Sequence, residues 1–257
     1  MNVNKFPVHL VYAGPSRYNG EPIRAYIYAQ TGNSKTGMIA GLVVVPEGMG
    51  YWTARKTGGD AAVCGGCRMR SKASGGDGTC YVGNGSQVGM GLKWLELAGE
   101  LAVDLAGAAR LIGMFGVLRS AVWGDAAALP ESVWAAIEAI SRGQGVPILG
   151  YTHGWRTSRH LVGSHMASVD SAAEAAEAQA VGWRTFLVAP AGTRPERSEF
   201  ACPASAERGK RLTCVDCLAC GTDGYRRNAR SVVIWKHDSA GQHAIKRTLA
   251  TLSIAQA

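Results

Sequence analysis

From residue 118 onward the sequence alternates short apolar runs with helix-type stretches, and this alternation restricts the fold more than any other feature. "LRSAVW" (118–123), "VPILGY" (146–151), "HMASVD" (165–170) and "WRTFLVAP" (183–190) read as strands. Residues 130–142 and 171–182 carry helical spacing between them. Pro130 suits a first helical turn, Ser171 an N-cap and Gly182 a C-terminal stop. Strands that alternate with helices imply βαβ units, a parallel sheet and right-handed crossovers. The expected fold is α/β: a partial or full (β/α) barrel of the TIM type, with N-terminal β strands and Cys-rich metal-binding loops. A doubly wound sheet is the alternative.

Upstream, residues 7–13 and 24–30 read as strands joined by a turn at Asn19-Gly20, and 41–46 as a third. Residues 57–91 are rich in Gly, Ser and Cys with little periodicity, and a loop of that length is usually functional or disordered. Residues 92–109 read as an apolar-rich helix and 231–237 as the last strand. The expectation is a single domain over 1–257: N-terminal strands (1–56), a Cys-rich loop (57–91), a β/α core (92–200), a C-terminal Cys cluster (201–230), and a last strand and tail (231–257). With 47% hydrophobic and 18% charged residues, the chain has the composition of a globular protein. No apolar run reaches the ~18 residues of a membrane span, so no membrane is expected. The opening "MNVNKFPVHLVYAG" lacks the regions of a signal peptide. The expected location is the cytoplasm, where thiols stay reduced.

In a barrel of parallel strands, chemistry gathers at the strands' C-terminal ends. There the sequence places Asp125, then Tyr151-Thr152-His153, then Ser168 and Asp170. Asp125 and Asp170 read equally as helix caps. In "GYTHGWR", Tyr151, His153, Trp155 and Arg156 could stack on a base or hold a phosphate, or simply pack as an aromatic loop. Asp125, His153, Arg156 and Asp170 are the catalytic candidates, and Asp125 and Ser168 the cofactor-binding ones.

All seven cysteines fall in two groups: Cys64-x2-Cys67-x12-Cys80 and Cys202-x11-Cys214-x2-Cys217-x2-Cys220. Structural cysteines would scatter through strands and helices; these sit in Gly-rich or charged loops. An odd count and a reducing compartment argue against disulfides, so metal ligation is expected. Zinc wants four tetrahedral ligands, typically from two Cys knuckles. The C-x2-C-x2-C run instead resembles the spacing of thiolates wrapped around an iron–sulfur cluster. The trio would leave one iron open to another ligand, whereas a closed zinc site there would need His153 or His165. Iron–sulfur is favoured, as two four-iron (4Fe-4S) clusters, with zinc as the alternative.

Lys and Arg number 27 against 19 Asp and Glu, a net charge of +8. The basic residues are grouped: Arg55-Lys56, Arg68/Arg70/Lys72, Arg208/Lys210/Arg211 and Arg226/Arg227/Arg230. Two of these groups flank the cysteine segments, which favours a nucleic acid or nucleotide as partner.

Across residues 60 to 190 the chain resembles radical SAM enzymes. In that family a cysteine loop after the first barrel strand holds a four-iron cluster. The second strand ends in a Gly-Gly-Glu-Pro type motif against the methionine end of SAM, and the fourth often ends in Ser-x-Asp. Here the order is "CGGCRMRSKASGGDGTC", "AVWGDAAALP", "ILGYTHG" and "MASVDS". "WGDAAALP" is similar to the second-strand motif, with Asp125 at its acidic position, and "SVDS" to the fourth-strand ending. The cysteine spacing is x2 then x12 where the family has x3 then x2. The resemblance implies SAM as cofactor and an auxiliary cluster on the C-terminal thiols.

The whole chain also resembles small phage- and prophage-encoded Cys-rich proteins that share "NSKTG", a loop ending in "CY", "GDxxxxP", "GYTHxWR", "SVDS" and "CPAS…CxxCxxC". The His-hydrophobe-His site of rolling-circle nickases is missing; His160 and His165 lie five apart around a glycine. The expected function is thus a radical-SAM-like iron–sulfur enzyme acting on a nucleotide or nucleic acid. The alternatives are a metal-stabilised nucleic-acid-binding or replication protein, and a zinc-dependent base-modifying barrel enzyme.

Overall fold

The computed structural model describes residues 8–30, 34–80, 82, 101–205, 208–209, 212–221 and 230–236. Residues 92–100 of the expected first helix lie outside these, as do Asn33, Tyr81, Lys210, Arg211, Arg226, Arg227 and His237.

Strands β1 (His9–Pro15) and β2 (Pro22–Gln30) form an antiparallel hairpin. Its turn closes through Ser16 N–H to Glu21 O at 2.8 Å, and Gly20, at φ 79°, takes the left-handed position that favours glycine. β3 (Ile39–Pro46) pairs antiparallel with β2 and is buried along its whole length, which is why "IAGLVVVP" is continuously apolar rather than alternating. Beyond the β2–β3 pair, the described strands pair with one another in parallel. The strands are β4 (Leu118–Arg119), β5 (Ile148–Leu149), β6 (Tyr151–Thr152), β7 (Met166–Val169), β8 (Thr185–Ala189), β9 (Glu199–Ala201) and β10 (Ser231–Trp235). They make two five-stranded sheets, β1-β2-β3-β4-β5 and β6-β7-β8-β10-β9. The protein is therefore mixed α/β with two parallel-rich sheets.

A single expected strand over 146–151 is split at Gly150. Leu149 O accepts from Ser120 N–H (2.8 Å) in the first sheet, and Gly150 O from Met166 N–H (3.0 Å) in the second. The chain thus steps from one sheet into the other at this residue. A Cβ at Gly150 would lie 2.6 Å from His165 Cδ2 and 3.0 Å from Ser120 Cβ, so the crossing needs glycine. The ladders among the described residues do not close into a barrel.

One helix packs on a face of the second sheet. On α5 (Ala172–Ala180), Ala175 and Ala178 belong to the same core as Ala167, Val169, Leu187 and Val233. The alternate residues Met166, Phe186, Val232 and Ile234 form a separate core with Cys202. This two-residue alternation follows from the pleat.

The remaining differences from expectation are set by caps and by long-range pairing. Of the described part of the helix expected over 92–109, residues 101–104 are not helical and 105–109 open α3, Leu105–Phe115: the Asp104 carboxylate accepts from Gly107 N–H (2.7 Å) at its start, and Gly116, at φ 65°, ends it. α4 spans Glu131–Gly143 with Pro130 one residue earlier than expected, at the N-cap. The Cys-rich stretch holds a short helix, α2 (Ala61–Cys64), preceded by α1 (Tyr51–Thr57). The last strand is not at an edge: β10 lies between β8 and the unexpected β9.

Candidate metal centre

The loop after β3 carries the first cysteine group, and buried polar contacts give it one shape. Asp60 is buried at the head of α2, and its carboxylate accepts from Ser71 N–H (2.8 Å) and Ser71 Oγ (2.7 Å). Arg55 donates to Gly78 O (3.1 Å) and to the Tyr51 hydroxyl (2.5 Å). Arg70 donates to Ser74 O (2.8 Å) and Cys67 O (3.0 Å). Two arginines of the basic groups thus satisfy loop carbonyls.

The folded loop brings Cys64, Cys67 and Cys80 within each other's electrostatic reach. Burial raises the Cys64 thiol well above its ordinary range, and Cys67, Cys80, Asp60 and Asp125 add to the rise. Burial pushes Cys67 up to about 12, with Cys80, Asp125 and Asp170 contributing. The Cys80 thiol is also raised, first by burial. Three thiolates beside these carboxylates would repel one another unless a cation sat among them, and a bound metal supplies that charge. The donor set is soft sulfur, which suits iron–sulfur or zinc chemistry. Among the described residues, no three His, Cys, Asp or Glu side chains form a ready-made cage for a single metal ion.

The strand ends meet the same place. Asp125 is buried, and its carboxylate takes three hydrogen bonds: from Ala127 N–H (2.9 Å), Thr152 Oγ1 (2.5 Å) and His153 N–H (2.8 Å). It therefore caps the 126–128 turn and fastens the chain end after β4 to the end of β6. His153 Nε2 stands 3.9 Å from Cys67 Sγ. Burial raises the Asp170 carboxyl, with His153 opposing and Glu174 adding to the rise. Asp125, His153 and Asp170 thus gather around the first thiol trio.

Two other candidates stand apart from that gathering. Ser168 is buried within β7. Arg156 pairs with Glu177 (2.6 Å) and Glu174 (3.6 Å) and lies 4.0 Å over the Trp155 ring, so its guanidinium ties the 154–156 turn to α5. His165 lies between Ser120 Oγ (2.8 Å from Nε2) and Ser164 Oγ (3.1 Å from Nδ1). With both ring nitrogens engaged, it is not placed to complete a thiol site.

The second cysteine group assembles separately. Cys202 follows β9, its N–H bonded to Val233 O at 2.9 Å. Cys214–Cys217 form the one-turn α6, where the Thr213 and Asp216 side chains make a capping box. Leu218 then adopts φ 51°, the left-handed turn that curls Cys214, Cys217 and Cys220 into an arc. Burial raises the Cys220 thiol, and Cys202, Cys214 and Cys217 raise it further. Arg184 donates to Ala219 O (2.5 Å) and Gly221 O (2.9 Å), and Cys214 N–H bonds Lys35 O (3.0 Å). Lys35 and Arg184 precede β3 and β8, so this arc lies at the starts of the parallel strands, opposite the trio.

Sequence reasoning missed Tyr18. It sits at the tip of the β1–β2 turn, where polar residues are usual, yet its hydroxyl is buried beside Asp125, Cys64 and Cys67. An aromatic in "SRYNG" was the available signal. The protein-family models, the curated proteins and the solved structures offer no match to this chain.

Proposed function

We propose that the chain is a phage-type iron–sulfur enzyme of the radical SAM kind, built on a partial barrel and acting on a nucleotide or nucleic acid in the host cytoplasm. The observation that carries this reading is the meeting of Cys64, Cys67 and Cys80 with Asp125, His153 and Asp170 at the C-terminal ends of parallel strands. That is where a barrel of this type keeps its chemistry.

In this reading Cys64, Cys67 and Cys80 would hold a four-iron cluster. Such a group, if held there, would supply one-electron reductive chemistry toward SAM. The chain's own residues position the reactants. Asp125 fixes the His153 backbone beside Cys67 and has little capacity left beyond its three donors. His153 and Asp170 face the substrate, and a carboxyl raised by burial can hold or release a proton nearer neutral pH. Arg156 and Ser168 support the strand ends. Cys202, Cys214, Cys217 and Cys220 hold a second, coordinatively closed cluster. The net charge of +8 supports an anionic substrate.

Purification without oxygen, followed by assay of iron, sulfide and zinc, tests the proposal. About eight irons per chain are expected, and about four in Cys67→Ala. Reduction with SAM should then cleave the cofactor. Zinc without iron overturns the reading. Iron without SAM cleavage replaces the enzyme with a metal-stabilised nucleic-acid-binding protein.

A further inference from the structure

We infer that the Tyr18 hydroxyl donates a hydrogen bond to the group held by Cys64, Cys67 and Cys80, so that the β1–β2 turn supplies a binding contact to the metal site. This rests on the reading of that trio as an iron–sulfur site. The Tyr18 hydroxyl is buried and has no hydrogen-bond partner. Such a group weakens a fold, and phenylalanine would avoid the cost, unless a bound group accepts the proton.

The turn is held against both halves of the site. Ser16 Oγ donates to Ala62 O (2.6 Å) on α2, which ends at Cys64. Arg17 N–H donates to Ala128 O (2.9 Å), just after the Asp125 cap. Tyr18 N–H returns to Ser16 Oγ at 3.0 Å, which sets the direction of the side chain. The ring enters between two glycines. A Cβ on Gly65 would run into the ring, and one on Gly154 would lie 2.7 Å from the hydroxyl oxygen. The missing side chains therefore leave a slot shaped for this phenol.

Its surroundings keep the phenol protonated and hence a donor. Burial comes first, then the charges of Asp125 and Cys64, a weak hydrogen-bonding pull from Asp125 and the charge of Cys67, all of which disfavour the phenolate. Asp125 also draws on the hydroxyl, but its carboxylate already accepts from Ala127, Thr152 and His153, and the pair falls outside full hydrogen-bond geometry. The remaining acceptor is a thiolate or sulfide of the bound cluster. Hydrogen bonds to those sulfurs raise a cluster's reduction potential.

The test is Tyr18→Phe in the full chain, reconstituted anaerobically with ferrous iron and sulfide. Iron extraction by a chelator and the reduction potential are followed, the trio's signals being those lost in Cys67→Ala. The trio's iron should leave about five- to tenfold faster in Tyr18→Phe, the loss of one hydrogen bond. Its potential should fall, and the second site should be unchanged. Unchanged rate and potential with the trio's iron in place overturn the inference and leave the metal site standing. If Cys67→Ala holds as much iron as wild type, the trio is not the site, and the inference falls with it. The metal-free proteins give a second measurement: Tyr18→Phe should melt no lower than wild type. A lower melting temperature would identify Asp125 as the partner and overturn the inference.

Discussion

His153 N–H donates to Asp125 Oδ2 across 2.8 Å, so the end of β6 in one sheet hangs from the chain after β4 in the other. Thr152 Oγ1 bonds the other carboxylate oxygen, and Ala127 N–H shares it. One buried side chain therefore sets where His153 stands relative to Cys67.

Asp125→Ala leaves those buried donors without an acceptor, and each such loss costs about 1–3 kcal/mol. We expect a total loss of about 3 kcal/mol or more by chemical denaturation. Asp125→Asn keeps one acceptor oxygen and should lose less. A wild-type midpoint for Asp125→Ala would refute the fastening role.

His165 predicts an acid sensitivity. Burial holds its imidazole down to about 3, against an ordinary value of 6.5. Below 6.5 the unfolded chain takes up a proton that the folded chain refuses, so stability falls as pH drops through the window from 6.5 toward 3. The slope is about 1.4 kcal/mol per pH unit within the window. His165→Gln should be less stable at neutral pH but should lack that slope between pH 6.5 and 4.5. Parallel curves for the two proteins would contradict it.

Arg184 holds the second cysteine arc through the carbonyls of Ala219 and Gly221. Arg184→Ala should lower metal content at the second group while the trio keeps its own, as read by metal analysis against Cys67→Ala. Equal loss from both sites would show that they are one unit.

Gly65 combines φ 51° with the Tyr18 ring in the space of its missing Cβ. Gly65→Ala should cost at least about 2 kcal/mol, a positive-φ penalty plus overpacking. A double variant with Tyr18→Ala should recover part of that loss. No recovery would show that the ring is not the obstacle.

Much of the fold was legible because its signals are local. The 118–190 alternation, the Ser171 cap and the Gly182 stop each depend on neighbours a few residues away. α3 starts at 105 because Asp104 caps it and runs past 109 because its stop is Gly116, and apolar spacing alone shows neither. The trio's neighbours Asp125, His153 and Asp170 could be named from strand ends. Arg156 could not be told from a site residue, because only the fold sets it against Glu174 and Glu177.

By itself the sequence determined the α/β alternation, the division of seven cysteines into two groups and the polar character of the strand ends. Periodicity and residue spacing express all three. The tertiary structure alone decided that the sheets part at Gly150, that β10 inserts beside β8, and that the arc of Cys214, Cys217 and Cys220 packs against the segments before β3 and β8 while the trio follows β3. It also decided that Arg55 and Arg70 serve loop carbonyls and that Tyr18 packs beside Asp125, Cys64 and Cys67. Each of these depends on contacts between residues distant in sequence, where burial and hydrogen-bond satisfaction select a partner that local pattern does not encode.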